Sequence, residues 1–270
     1  MSAIKVKDLV KVYETGTRAL AGVSLEVPHG QMLALIGLSG SGKSTFLRHL
    51  NGLTRPTSGD IGLLGVDVNQ VSKSELRALR KQVGFIFQQF GLVGRLTAIE
   101  NVLSGSLGSL RGPRFGVGSY PLTLRKKALE QLDRVGLADY AFQRADTLSG
   151  GQMQRTAIAR TLMQEPKIML ADEPVASLDP ESSAQVMDIM LKVAKEEDLT
   201  VVVTLHQVEY ALGWADRIVG LRDGQVVLDD VPKNLGKDRV MEVYQRVAPE
   251  GVSAEELAKE SLQNMRDDQN

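Results

Sequence analysis

Eight consecutive residues, Gly37, Leu38, Ser39, Gly40, Ser41, Gly42, Lys43 and Ser44, bring bare backbone, one cation and a hydroxyl into a single loop. That mixture suits a triphosphate. Its oxygens must be met by backbone N–H groups, and bulky side chains at the glycine positions would block the wrap. Lys43 reaches the β- and γ-phosphates, Ser44 offers a hydroxyl to Mg²⁺, and Thr45 completes the nucleotide-contacting set. A glycine-rich turn before an ordinary helix is the bland alternative, and the flanks weigh against it. Residues 31–37 form a short apolar run, the kind that makes a strand buried on both faces. Residues 43–51 read as a helix, with Phe46, Leu47 and Leu50 on one side and Asn51-Gly52 as its stop. That helix adds its positive N-terminal end to the anion site.

Four further residues are expected at or just after the ends of strands of the same core. Residues 167–172 make a second buried strand whose carboxyl end places Asp172 in the Mg²⁺ shell. Glu173, one residue further on, is suited to accept the proton of a water aimed at the γ-phosphorus. Taken alone, an Asp-Glu-Pro turn is only a polar turn; beside a phosphate loop it reads as catalytic. His206 ends a third apolar strand, residues 199–206, where a ring N–H reaches a γ-phosphate oxygen. Gln88 follows a further strand and carries an amide suited to Mg²⁺ or to the attacking water. Tyr13, in a β-rich N-terminal segment, is either an adenine-stacking ring or a half-buried strand aromatic. His29 and His49 are read as structural.

Residues 148–152, Leu-Ser-Gly-Gly-Gln, open another helix. Ser149 is a natural N-cap, Gly150 and Gly151 leave amides bare, and Gln152 lies in the first turn. The helix is expected to run to Gln164 before Pro166, burying Met153, Ala157, Ile158 and Leu162. An exposed helix N-terminus with a glycine pair is a second anion site. One ATP has one γ-phosphate, which the first loop already wraps. The simplest resolution assigns this second site to the nucleotide of another subunit.

These motifs, in this order, resemble the ATP-binding cassette (ABC) ATPases over roughly residues 3–245. The phosphate loop, Gln88, residues 148–152, the strand ending at Asp172-Glu173, the Ser-Leu-Asp-Pro segment around Asp179 and His206 all match. The resemblance implies ATP and Mg²⁺ as cofactors, Tyr13 against adenine, and a head-to-tail dimer. Ser149, Gly150, Gly151 and Gln152 of one subunit would close on ATP held by the other, with Asp179 carrying information between the sites. Residues 88–103, Asp172 to Pro180 and Leu205-His-Gln-Val look like phosphonate-importer ATPases. Residues 108–121 depart from that subgroup: they form a glycine-rich loop shorter than its aromatic, basic insertion, in the part expected to face a membrane partner.

The expected fold is α/β: a P-loop nucleotide-binding core with an antiparallel β subdomain and an inserted helical subdomain. Residues 1–247 would form the ATPase domain, with helices inserted at about 90–165, and 248–270 a polar tail. Asp223-Gly224 reads as a hairpin turn. A formal net charge of −1 argues against a dedicated nucleic-acid binder. No secretory signal or membrane-length apolar run is visible. Zero cysteines exclude a disulfide framework. The expected role is the ATP-hydrolysing subunit of an importer for phosphonates or a related phosphorus oxyanion. It would sit peripherally on the cytoplasmic face of the cell membrane with transmembrane permease subunits and an extracytoplasmic solute-binding protein. Import of another solute, a component of a phosphonate-processing complex, and a non-transport ABC ATPase of repair or translation are the alternatives.

Overall fold

The computed structural model describes residues 2–110, 112 and 115–244. The chain opens with β1 (Ser2–Val12), β2 (Arg18–Pro28), β3 (Met32–Ile36), α1 (Lys43–Leu50), β4 (Ser58–Leu63) and β5 (Val66–Asp67). Next come α2 (Lys73–Arg80), β6 (Val83–Ile86) and three helices, α3 (Ala98–Ser104), α4 (Leu122–Arg134) and α5 (Gly150–Leu162). β7 (Ile168–Ala171), α6 (Pro180–Glu196), β8 (Thr200–Thr204), α7 (Val208–Trp214), β9 (Arg217–Arg222), β10 (Gln225–Asp230) and α8 (Lys237–Met241) follow.

Two sheets result among the described residues. One is antiparallel, in the order β2-β1-β4-β5; the other runs β10-β9-β3-β8-β7-β6. In the second, β9, β3, β8, β7 and β6 are parallel, and only β10 runs antiparallel. Successive side chains of a strand point to opposite faces, so a central strand with cover on both sides must be apolar throughout. β3 obeys this rule. Met32, Ala34 and Ile36 join the core shared with α3, α4, α5 and α6. Leu33 and Leu35 join a second core with Phe46, Leu47 and Leu50 of α1 and the inner face of the antiparallel sheet. The expected α/β class, with its antiparallel β layer and helices entering between β6 and β7, is therefore observed.

Element ends depart from expectation by one or two residues. α1 stops at Leu50, and Gly52, at φ +62°, turns the chain away. α5 stops at Leu162 rather than Gln164. The backbone tightens there: the N–H groups of Gln164 and Glu165 donate three residues back, to the Thr161 and Leu162 carbonyls at 3.2 and 2.9 Å, and Glu165 turns left-handed at φ +53° before Pro166. The Gln164 side-chain amide donates to the carbonyls of Arg80, Lys81 and Val83 at 2.8, 3.0 and 3.1 Å. Ala157, Ile158 and Leu162 are buried as expected, whereas Met153 is only partly so. The polar tail proposed for 248–270 lies outside the described residues.

Candidate active site

Parallel strands bring their carboxyl ends to one edge, where loops and helix N-termini collect. β3 delivers Gly37 there, at φ +148°, and Gly42 follows at φ +105°. Both positions are crowded by backbone. A Cβ on Gly37 would fall 2.2 Å from the Leu221 carbonyl oxygen, and one on Gly42 2.4 Å from that of Ala19. The β9–β10 hairpin braces the loop from this side. Asp223 and Gly224 turn it at φ +50° and +74°, and the Gly224 N–H donates to the Ser41 carbonyl at 3.2 Å. Positive φ at both central residues is what a two-residue hairpin turn of type I′ demands.

Lys43 is buried, and its ammonium donates to the carbonyls of Gly37 and Leu38 at 2.8 and 3.0 Å. An ammonium has three donors, so one remains for an anion. Burial pulls its pKa below the usual lysine value, against the opposing pull of the Glu173 and Asp172 charges. The cation therefore sits where an added negative group is favoured.

Asp172 lies just beyond β7 and is nearly buried. Its Oδ1 accepts from the Ser44 hydroxyl at 2.8 Å and from the Thr204 hydroxyl at 3.0 Å. Thr204 also accepts the Glu173 N–H at 2.7 Å. This contact secures Glu173 in a left-handed backbone conformation, φ +48°, which non-glycine residues adopt at a cost. Both oxygens of its carboxylate are engaged. Gln88 Nε2 donates to Oε2 at 2.9 Å, and His206 Nε2 pairs with Oε1 at 2.6 Å. Ser44, Asp172, Glu173, Gln88 and His206 thus meet in one hydrogen-bonded chain, although His206 lies two residues past the end of β8. The hydroxyl of Ser44, the carboxylate of Asp172 and the amide oxygen of Gln88 are hard donors that fit Mg²⁺. No group of three or more His, Cys, Asp or Glu is placed for a metal among the described residues. The chemistry fits an ion that takes few protein ligands and completes its shell with phosphate and water.

Tyr13 falls in the turn after β1, not within the strand. Its hydroxyl lies 3.3 Å from Thr45 Oγ1, and Lys11 Nζ sits 5.3 Å from its ring centroid. The ring is thereby held beside the start of α1. His49 is fully buried on α1, with Nδ1 donating to the Thr45 carbonyl at 2.7 Å. His29 lies in the turn after β2.

Ser149 caps α5 in a reciprocal box: its hydroxyl accepts the Gln152 N–H at 3.3 Å, and Gln152 Oε1 accepts the Ser149 N–H at 2.9 Å. Gly151 packs so closely on α6 that a Cβ would come 2.9 Å from Ser182 Oγ. Asp179 caps α6, accepting the Ser182 N–H at 2.9 Å. The hydroxyl and N–H of Ser182 hold the Asp179 carboxyl below its usual pKa. Residues 149–152 and Asp179 are thus neighbours through Ser182, while Tyr13, the phosphate loop, Asp172, Glu173, Gln88 and His206 form the other group. Thr204 was not anticipated as a site residue. Its signal was a hydroxyl at the carboxyl end of a largely apolar strand. Arg160, whose guanidinium donates to Phe90 and Gly91 carbonyls near Gln88, had no visible signal.

A profile of the ABC transporter family matches residues 20–176, more than half of the chain. The chain is 61% identical over 233 residues to the phosphate-import ATP-binding protein PhnC of Mycolicibacterium smegmatis, covering 86% of this chain and 89% of that protein. It is 55% identical over 249 residues to the phosphonates import ATP-binding protein PhnC of Frankia casuarinae, covering 92% and 98%. Among solved structures, it resembles a dimeric ATP-binding cassette in a post-hydrolysis state with ADP and phosphate bound. That match has a TM-score of 0.75 at 37% identity, over 85% of this chain and 98% of that one.

Proposed function

The chain belongs to the ABC transporter family, and from that membership we propose that it is the ATP-hydrolysing, energy-coupling subunit of an importer for phosphonates or a related phosphorus oxyanion. The observation that carries the enzymatic half is the Glu173 carboxylate, held by Gln88 and His206 one residue beyond an Asp172 tied to Ser44. The names of the relatives support the transport half. Both phosphate and phosphonates appear among them, and the phosphate-import relative is the more similar of the two described above.

The backbone N–H groups of residues 37–45 cradle the triphosphate, Lys43 spends its third donor on the β- and γ-phosphates, and Tyr13 stacks on adenine. Water attacks the γ-phosphorus, and the bond from that phosphorus to the bridging oxygen breaks to leave ADP and phosphate. Glu173 takes the proton that the water gives up. His206 orients the carboxylate here and offers its N–H to the transferred phosphoryl group. Ser44, Asp172 and Gln88 would hold Mg²⁺, which when bound neutralises charge on the β- and γ-phosphates. Each Glu173 oxygen accepts one bond in this conformation, which leaves lone pairs free to take the water's proton while Gln88 and His206 hold the carboxylate in place.

The second site takes the nucleotide of a partner copy. Residues 149–152 close on it, and Asp179, linked to Gly151 through Ser182, reports between the two sites. Dimeric relatives support this arrangement. The cassette spans residues 1–247 with a helical insertion at about 90–165, and 248–270 is a polar tail. No helix among the described residues is long and apolar enough to cross a membrane. Spanning is left to separate permease subunits, with this protein bound peripherally at the cytoplasmic face and an extracytoplasmic protein selecting the solute. Exposed Phe87, beside Gln88, and exposed Leu107 and Phe115, after α3, support a permease contact there.

The test is growth of a strain lacking the gene on phosphate, phosphite or an alkylphosphonate as sole phosphorus source. Each culture is complemented with the wild-type protein or Glu173→Gln. A defect on one of these sources, rescued only by the wild type, is expected. Rescue by Glu173→Gln as well would refute hydrolysis-driven import.

A further inference from the structure

Arg160 lies on α5, the helix whose N-terminus carries residues 149–152. Its Nη2 donates to the Phe90 carbonyl at 3.0 Å, and its Nη1 donates to the carbonyl of Gly91. Those two residues form an unusual turn. Phe90 and Gly91 are both left-handed, at φ +56° and +60°, and a bulky aromatic rarely adopts that conformation. The Phe90 N–H closes the turn on the Phe87 carbonyl at 3.1 Å, and Arg160 grips its two outward carbonyls. A rigid planar fork matches two adjacent acceptors, which a lysine point charge cannot do. Burial pulls the guanidinium below its usual arginine pKa. Among the described residues no carboxylate forms an ion pair with it, so the two carbonyls alone offset the loss of water.

The position of this grip gives it meaning. Gln88 lies between the end of β6 and the clamped turn, and its amide donates to Glu173. At the other end of β6, Gln164 of the same α5 segment holds the carbonyls of Arg80, Lys81 and Val83. The segment running from α5 to Gln164 therefore fastens both flanks of β6, and Gln88 sits inside the span.

We propose that Arg160 is a positioning residue for ATP hydrolysis: its guanidinium clamps Phe90 and Gly91 so that Gln88 is held against Glu173, and Gln88 then follows any displacement of α5. A helix that meets the partner's nucleotide at one end thereby sets the base of its own subunit at the other. The inference rests on the catalytic roles of Gln88 and Glu173 given above.

The test is steady-state ATPase of the full chain for Arg160→Lys, Gln88→Ala and the double variant, with ATP affinity measured in parallel. A small misplacement of reacting groups costs up to about 100-fold in rate. Arg160→Lys is expected to lower kcat by about tenfold or more with ATP Kd unchanged, and to cost nothing further in the Gln88→Ala background. Multiplying losses, an unchanged kcat, or a fall confined to ATP affinity would overturn the clamp. An unchanged kcat in Gln88→Ala alone would instead remove the role of Gln88 on which the clamp depends. If Arg160→Lys does not fold, Gly91→Ala disturbs the same turn from within. An alanine there is strained at φ +60°, and its Cβ would sit 3.2 Å from Phe87 Cδ2. The same non-additivity with Gln88→Ala is expected, and wild-type kcat in Gly91→Ala would overturn the proposal.

Discussion

Replacing Thr204 by valine keeps shape and volume nearly constant while deleting one hydroxyl. That hydroxyl does two things: it donates to Asp172 Oδ1 at 3.0 Å and accepts the Glu173 N–H at 2.7 Å. Thr204 is fully buried and Asp172 nearly so, so water cannot restore the lost partners. A hydrogen bond to a charged group is worth about 1.5–3 kcal/mol, and an orphaned buried N–H costs about 1–3 kcal/mol. Asp172 keeps its bond from Ser44, which places the total near the lower end, about 3 kcal/mol. For a chain of this size each kcal/mol moves Tm by about 2–4 °C, so a fall of about 6–12 °C is expected. Catalysis should suffer too. The left-handed backbone of Glu173 costs about 1–3 kcal/mol, and Thr204 is what pins its amide. Release of that strain moves the carboxylate, and kcat is expected to drop about tenfold or more. Thr204→Ser separates the hydroxyl from the methyl. It keeps both bonds and loses one buried methyl, worth about 1 kcal/mol. Thermal unfolding and phosphate release should rank wild type above Thr204→Ser and both above Thr204→Val. A valine variant as stable and active as the serine variant would refute the claim that this hydroxyl holds the carboxylate pair.

Glu173→Gln should bind ATP, accumulate closed dimers and lose about 10²–10⁴ in hydrolysis, as removal of a general base does; wild-type turnover would sink the base assignment. Lys43→Ala should weaken ATP binding, because the buried ammonium is the cation of the loop; an unchanged Kd by calorimetry would contradict the cradle. His49 makes stability depend on pH. Burial chiefly lowers its pKa from 6.5, with Lys11 adding to the shift and the Thr45 and Arg55 carbonyls opposing it. Below pH 6.5 the unfolded chain binds a proton that the folded chain refuses, so this site removes stability on acidification by up to about 1.4 kcal/mol per pH unit. The loss runs down to the folded pKa and then levels. Chemical unfolding at pH 7.5 and 5.5 should show a steeper acid loss in wild type than in His49→Asn, and equal slopes would remove His49 as the cause.

What could be read from the chain alone follows from how locally each feature is determined. The phosphate loop, the cap at Ser149 and the turn at Asp223-Gly224 are decided by a few adjacent residues, because φ > 0 and bare amides are requirements of the backbone itself. Parallel strands buried on both faces, such as β3 and β7, announce themselves as unbroken apolar runs. Thr204, Arg160 and Gln164 were harder, since each acts through carbonyls or carboxylates far away in sequence. Arg160 reaches 69 and 70 residues back to Gly91 and Phe90, and Gln164 reaches more than 80 residues back to the flank of β6. A long polar side chain at such a position reads as an ordinary solvated helix face until the fold supplies its acceptors. The early end of α5 has a local cause instead: its last N–H groups donate three residues back, and Glu165 turns left-handed before Pro166. Local chemistry therefore marks the loops and caps proposed to meet ATP, whereas the contacts of Thr204, Arg160 and Gln164 arise only from tertiary packing.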